Sequence, residues 1–160
     1  MRKTIFCSVI ISIFLLTGCN MDVKPFVDEK DTYSADLAVN ANEYSFIIGK
    51  EITTICNQII SQQSNMTNAG DGTNNTRLIR ACENSISTIN ECRYVIQTTR
   101  PAIGYENDRE GILDSIDAVI GILQDYLSSL ESNGTDFSLY IKRLNTEYSI
   151  LTSYQSVYYN

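Results

Sequence analysis

Cysteine has the most reactive side chain in this sequence, and it occurs at positions 7, 19, 56, 82 and 92. A cysteine nucleophile normally needs a neighbouring base, most often histidine, and the sequence contains no histidine. The same absence removes the commonest zinc ligand, and no two cysteines have the paired C-x-x-C spacing of a soft-metal site. The cysteines therefore predict no catalytic site, no metal site and no cofactor.

The first nineteen residues have the pattern of a secretion signal. Arg2 and Lys3 precede an almost unbroken apolar run over residues 5–16, which is shorter than a membrane-spanning helix requires. The run leads into the sequence Leu-Thr-Gly-Cys, which ends at Gly18 and Cys19 and resembles the lipobox of bacterial lipoproteins. An uncleaved amino-terminal membrane helix with a chance cysteine is the alternative interpretation.

The resemblance covers residues 1–19 only, and it implies how the protein is processed. In lipoproteins the cysteine thiol is joined to a diacylglycerol, and the signal is then removed just before that residue, here between Gly18 and Cys19. Two or more acyl chains, such as palmitate, are needed for durable anchoring, because a single chain binds only marginally. The resemblance thus predicts a protein anchored through Cys19 to the bacterial cell membrane or outer membrane and facing away from the cytoplasm.

The chain is acidic, with 12 Lys and Arg against 19 Asp and Glu and a net charge of −7. Removing residues 1–18 takes away Arg2 and Lys3, which leaves ten basic and nineteen acidic side chains and a net charge of −9. Such a surface is a poor partner for nucleic acid, and an anionic membrane would repel it. Membrane attachment must therefore come from lipid rather than from charge.

Beyond the signal, apolar residues recur at intervals of three and four, the spacing of amphipathic helices. Residues 19–32 are polar and contain Pro25, which predicts a lipidated, flexible tether, and residues 33–160 are expected to form the helical domain with Ser34 as a candidate first cap. The predicted inward positions are Leu37, Ala41, Tyr44, Ile48, Ile52, Ile55 and Ile59; Leu78, Cys82, Ile86, Ile89 and Ile96, with Arg93 at the edge of this inward face; Ile112, Ile116, Val119, Leu123, Tyr126 and Leu130; and Phe137, Tyr140, Leu144, Tyr148, Leu151, Tyr154 and Tyr158.

Short links join these four segments. A polar stretch over residues 65–76, then Pro101 and Gly104, and finally Asn133 with Gly134 separate them, and Thr135 or Asp136 is expected to cap the fourth. Amphipathic helices with short connections pack as antiparallel neighbours. The sequence therefore predicts an all-α fold, an antiparallel up-down bundle of about four helices.

Three thiols remain for the processed chain, and an oxidising compartment permits one disulfide among them. Cys82 and Cys92 would lie about 15 Å apart along one helix and cannot bond to each other. Folding the first two helices about Gly70 brings Cys56 opposite a position near residue 84, which favours a Cys56–Cys82 disulfide and a free Cys92. The alternative is that all three are small buried apolar side chains.

Two further groups of polar and aromatic residues have simple structural explanations. Acidic residues near the start of the third helix are favoured there by the helix dipole. Tyrosines concentrate at the carboxyl end, where they would form a contact surface for a protein or glycan, although Tyr148 and Tyr154 fall on the inward face and leave only Tyr159 and part of Tyr158 exposed.

These observations favour a lipid-anchored, non-enzymatic envelope lipoprotein whose bundle binds or shields another envelope component, with an unidentified envelope protein or glycan as partner. A surface immunity or phage superinfection-exclusion lipoprotein is the first alternative, because an acidic surface suits a cationic attacker. An enzyme acting on the cell wall or on lipid is the second alternative, and no residue of this sequence stands out as its catalytic group.

Overall fold

A computed structural model describes residues 40–69 and 75–158 of the chain. Every described residue belongs to the compact unit Ser34–Asn160. The described residues contain four α-helices: α1 (Ala41–Thr67), α2 (Asn75–Thr98), α3 (Glu106–Glu131) and α4 (Ser138–Tyr158). The described residues include no β-strand.

The four helices form the predicted bundle. α1 packs against α2 and α4, and α3 packs against the same two helices, so each helix lies between its two neighbours. Tyr44 at the start of α1 contacts Tyr158 at the end of α4, and Asn75 at the start of α2 donates to Asn133 just beyond α3. Successive helices therefore run in opposite directions, which confirms the antiparallel up-down prediction.

The core follows a seven-residue repeat that keeps one face of each helix turned inward. Buried positions on α2 and α3 alternate at intervals of four and three, as they do in coiled coils and helical bundles. On α4 the fully buried side chains recur every seven residues, at Leu144, Leu151 and Tyr158. The buried positions are Leu78, Cys82, Ser85, Ile89, Cys92 and Ile96 on α2, and Ile112, Ile116, Val119, Leu123, Tyr126 and Leu130 along the repeat of α3.

The first helix begins later than the cap at Ser34 predicts. α1 starts at Ala41, and Asn40 is its cap: the backbone of Asn40 is extended, and its side-chain oxygen accepts a hydrogen bond from the Glu43 N–H at 2.8 Å. Asn caps a helix as well as Ser does, because its short side chain reaches the unpaired N–H groups of the first turn. Ser34 and Leu37 lie outside the described residues, and Ala41, an expected core position, is exposed.

The end of α3 and the start of α4 follow from local sequence. Asn133 adopts a left-handed backbone with φ 58°, its N–H donates to the Leu130 carbonyl, and the Gly134 N–H donates to the Ser129 carbonyl. This pair of bonds is a Schellman motif, as expected for an Asn-Gly exit. Asp136 then accepts from the Ser138 N–H at 3.0 Å, which confirms the expected cap of α4.

One buried polar group crosses between the first two helices. The Gln62 side chain is 1% exposed and donates to the Ala81 carbonyl at 3.0 Å and to the Ser85 hydroxyl at 2.8 Å. Ser85 in turn donates to Gln58 at 2.8 Å. Because Gln62 and Gln58 both bond to its hydroxyl, Ser85 takes the inward position that the sequence assigns to Ile86. The Ile86 side chain is only half-buried.

Candidate functional site

The lipidation and cleavage site expected at Gly18 and Cys19 lies outside the described residues. So does Tyr159, which the sequence predicts to be exposed. The described residues test the cysteines, the remaining tyrosines and the acidic start of the third helix. Glu106 and Asp108 do lie in the first turn of α3, where the positive end of the helix dipole stabilises them.

All three cysteines of the bundle are buried and free. The Cys56–Cys82 disulfide is absent from the structure, which corresponds instead to the alternative of three small apolar side chains. The Cys82 thiol donates to the Leu123 carbonyl across the α2–α3 interface at 3.3 Å. Counting residues from the loop centre places two helices side by side, but it does not orient two side chains toward each other.

Burial also makes these thiols chemically inert at neutral pH. It raises the pKa of Cys56 to about 11 and the pKa values of Cys82 and Cys92 to about 12. The thiolate is the nucleophilic form of cysteine, and none of the three populates it near pH 7. The described residues also contain no group of three or more cysteine or carboxylate side chains placed to hold a metal ion.

Three tyrosines from different elements meet at one end of the bundle, which we call the tyrosine end. The ring centroids are 5.7 Å apart for Tyr44 and Tyr105, 6.0 Å for Tyr44 and Tyr158, and 5.4 Å for Tyr105 and Tyr158. Tyr158 is 4% exposed, so the expectation that part of it is free is wrong. It occupies the last position of the seven-residue repeat of α4, and the first turn of α1 and the residue before α3 enclose it.

A surface pocket of about 260 Å³ opens beside these rings. Its walls come from the first turns of α1, the last turn of α4 and the residue that precedes α3. Phe46, 68% exposed, and Val157, 49% exposed, line it together with the polar side chains of Asn42 and Ser45. The pocket is lined by Ala41, Asn42, Ser45, Phe46, Tyr105, Val157 and Tyr158.

Ile103 lies at the same end and is 96% exposed. It occupies the turn between α2 and α3, two residues before Tyr105. The Tyr105 N–H donates to the Ala102 carbonyl at 3.0 Å, and Gly104 has a φ of 96°, the left-handed backbone that glycine adopts readily. Ala102 is buried and Ile103 points outward, so the turn itself fixes an isoleucine in solvent.

A second apolar feature runs along the outside of α4. Leu139, Ile150 and Val157 are exposed and are separated by eleven and seven residues. At 3.6 residues per turn these spacings place them within about 20° of one another around the helix axis. We call these three residues the α4 line, and it extends over about 27 Å.

Two surface ion pairs connect neighbouring helices. Arg93, expected at the edge of the inward face, makes two bonds to Asp117 at 2.6 and 3.0 Å and joins α2 to α3. Arg143 pairs with Asp125 at 2.9 Å and joins α4 to α3. Both pairs lie in solvent, where such contacts contribute little to stability.

Sequence reasoning missed the two exposed apolar features because its helical pattern assigned apolar residues inward. Ile103 gave the clearest available signal, since it is a large apolar residue between Pro101 and Gly104 in a predicted loop. None of the described helices is both long and apolar enough to cross a membrane. Comparison of the chain with protein families, with characterised proteins and with solved structures finds no match.

Proposed function

We propose that this protein is a lipid-anchored bacterial envelope lipoprotein, held by acyl chains on Cys19, whose helical bundle binds or shields another envelope component without catalysing a reaction. The anchor rests on the lipobox-like sequence at residues 16–19. The binding role rests on one observation in the bundle, the α4 line.

The α4 line is available for a partner because the core is complete without it. Each helix already buries its inward side chains, and α4 contributes Leu144, Leu151 and Tyr158. Single exposed apolar residues are ordinary on protein surfaces, but these three share one side of α4, about 16 and 10 Å apart along its axis. Three apolar side chains on one side of a helix can enter separate apolar pockets on another protein, because such contacts bury area that water solvates poorly.

The chemistry of the described residues supports binding over catalysis. The three thiols are buried and protonated at neutral pH, and histidine is missing from the whole sequence. The carboxylates of Asp117 and Asp125 are paired with arginines on neighbouring helices. The thiols and these two carboxylates thus take part in contacts between helices. The exposed apolar side chains of the α4 line are left for recognition.

Position-specific photocrosslinking in the native cells tests the binding role. A photoreactive amino acid replaces Leu139 or Ile150 on the α4 line, and matched probes replace Asn84 on α2 and Gln124 on α3, which are exposed and polar. We expect one crosslinked partner from the two α4 positions and none from the two controls. Ile150→Glu should remove the crosslink from position 139. Equal yields at all four positions would contradict the proposal.

A superinfection-exclusion role is the second candidate, and the charge of α3 favours it. This helix carries seven acidic side chains and one arginine, Arg109. An acidic helix on the outside of the cell would attract a cationic toxin or phage component. Deleting the gene and challenging the cells with phage and bacteriocins tests this candidate: unchanged sensitivity would remove it, and increased sensitivity would identify the attacker as the partner.

A further inference from the structure

We infer that the tyrosine end of the bundle rests on the lipid bilayer, with Ile103 and Phe46 inserted among the lipids. The inference deepens the proposed function and depends on its lipid anchor. It assigns a second contact with the membrane, made by the folded domain itself.

Ile103 is held outside the protein by a closed turn. The Ala102–Tyr105 hydrogen bond closes the backbone, and the Gly104 N–H donates to the Glu106 carboxylate at 2.9 Å. With Ala102 buried, the turn cannot rotate Ile103 inward without breaking these contacts. An isoleucine that is 96% exposed contributes almost nothing to the core, so its position suits contact with an apolar phase outside the bundle.

Phe46 and Tyr105 extend this apolar surface from the turn to α1. Phe46 is exposed, while Tyr105 is half-buried against the other tyrosines. Asn42 and Ser45 supply polar groups within the same pocket. Apolar side chains flanked by tyrosine and polar residues are typical of the boundary between acyl chains and headgroups.

The point at which the chain enters the bundle selects this end. Asn40 caps α1 at the tyrosine end, and Cys19 lies 21 residues earlier. Those residues span at most about 75 Å even when fully extended. The opposite end of the bundle, where Leu139 is exposed, lies a further helix length away, about 39 Å for α3. The chain from Cys19 therefore joins the bundle at the tyrosine end, and the opposite end reaches the bilayer only if the bundle turns over.

The charged residues near the tyrosine end indicate which lipid headgroups this contact would favour. Glu43, Glu106 and Asp108 lie near the tyrosine end, and Arg100 and Arg109 are the basic residues of the same region. Basic residues are therefore not in excess, and anionic headgroups would gain nothing there. The contact is apolar, and zwitterionic phosphatidylcholine vesicles are sufficient to detect it.

Tryptophan fluorescence reports the contact directly, because the chain contains no tryptophan. The full chain is expressed with its signal, purified from membranes and reconstituted into phosphatidylcholine vesicles with and without brominated acyl chains. One variant is Ile103→Trp, and the matched control is Leu139→Trp, another exposed apolar position at the opposite end. We expect a blue-shifted emission that brominated lipid quenches for Ile103→Trp, and an unshifted, unquenched emission for Leu139→Trp.

Flotation of the same vesicles separates this inference from the anchor. A protein that floats with the vesicles while the Ile103→Trp emission escapes quenching keeps its anchor and overturns the bilayer contact. Quenching at both positions overturns it too, because the bundle would then lie along the membrane. A blue shift without quenching means that another segment of chain or another protein covers Ile103. Failure to float overturns both proposals.

Discussion

Raising the pH from 7 to 10 should destabilise the bundle, because its three buried thiols keep their protons only in the folded state. Burial raises the pKa of Cys56 to about 11 and the pKa values of Cys82 and Cys92 to about 12, from an ordinary value of 9.0. A raised folded-state pKa stabilises the protein fully below the unfolded pKa. That stability is lost as the pH rises through 9 toward 11 and 12.

The size of the effect follows from the number of thiols. At pH 10 a cysteine of the unfolded chain is largely ionised, whereas the folded state still holds its proton. Between pH 7 and pH 10 this difference lowers the free energy of unfolding by roughly 1 to 1.5 kcal/mol for each thiol and by about 4 kcal/mol for three. The buried tyrosines Tyr44 and Tyr126, whose pKa values burial raises to about 12, contribute mainly above pH 10.

Urea unfolding followed by circular dichroism at pH 7, 8, 9 and 10 measures this loss. The experiment is done under nitrogen, with and without a reductant, and Cys82→Ala serves as control because it should reduce the pH dependence by about a third. A loss well below about 4 kcal/mol with reductant would contradict the burial of the thiols. A loss of only about 1 kcal/mol without reductant would show that Cys56 and Cys82 form a disulfide after all.

Three substitutions test the packing. Gln62→Ala should lower the free energy of unfolding by about 1–3 kcal/mol, because it removes a buried amide that bridges α1 and α2. Gln63→Ala should change it by less than about 0.5 kcal/mol, because the bond from Gln63 to Asn145 lies in solvent. Leu123→Ala should cost about 2–5 kcal/mol through the cavity it leaves, against almost no change for the exposed Leu139→Ala. Asn133→Val should cost about 1–2 kcal/mol, because a β-branched residue adopts a left-handed backbone poorly. Urea denaturation measures all five variants, and equal losses within either matched pair would contradict the packing described here.

The helices and their number were predictable because each carries its own apolar face. The inward spacing at three and four residues identifies α1 to α4, and the residues between them have the special backbone preferences of turns. Asn133 shows how local this information is: its left-handed conformation ends α3 through hydrogen bonds to residues within the same turn. Such features need no knowledge of the rest of the chain.

Features that depend on a second helix were not predictable in the same way. Ser85 points inward because Gln62 and Gln58 on α1 satisfy its hydroxyl, and no periodicity within α2 reveals those partners. The same limit applies to the expected Cys56–Cys82 disulfide, since the rotation of each helix about its axis decides whether two thiols meet. Rotation is set by packing across the whole core.

The tyrosine end could not be predicted from the sequence for a further reason. Tyr44, Tyr105 and Tyr158 are distant in the chain, and only the up-down topology brings them together. The sequence did indicate aromatic residues near the carboxyl end, but it assigned Tyr158 partly to the surface. In the bundle Tyr158 closes the core, and Phe46 and Ile103 form the exposed surface instead.

The mass of the intact protein extracted from membranes tests the central claim most directly. The account predicts a chain that begins at Cys19 and carries a diacylglycerol on its thiol, and it predicts that Cys19→Ala blocks both the lipid addition and the removal of residues 1–18. A membrane-bound protein that retains residues 1–18 without added lipid would contradict it, and so would a Cys19→Ala protein that is processed and anchored like the original.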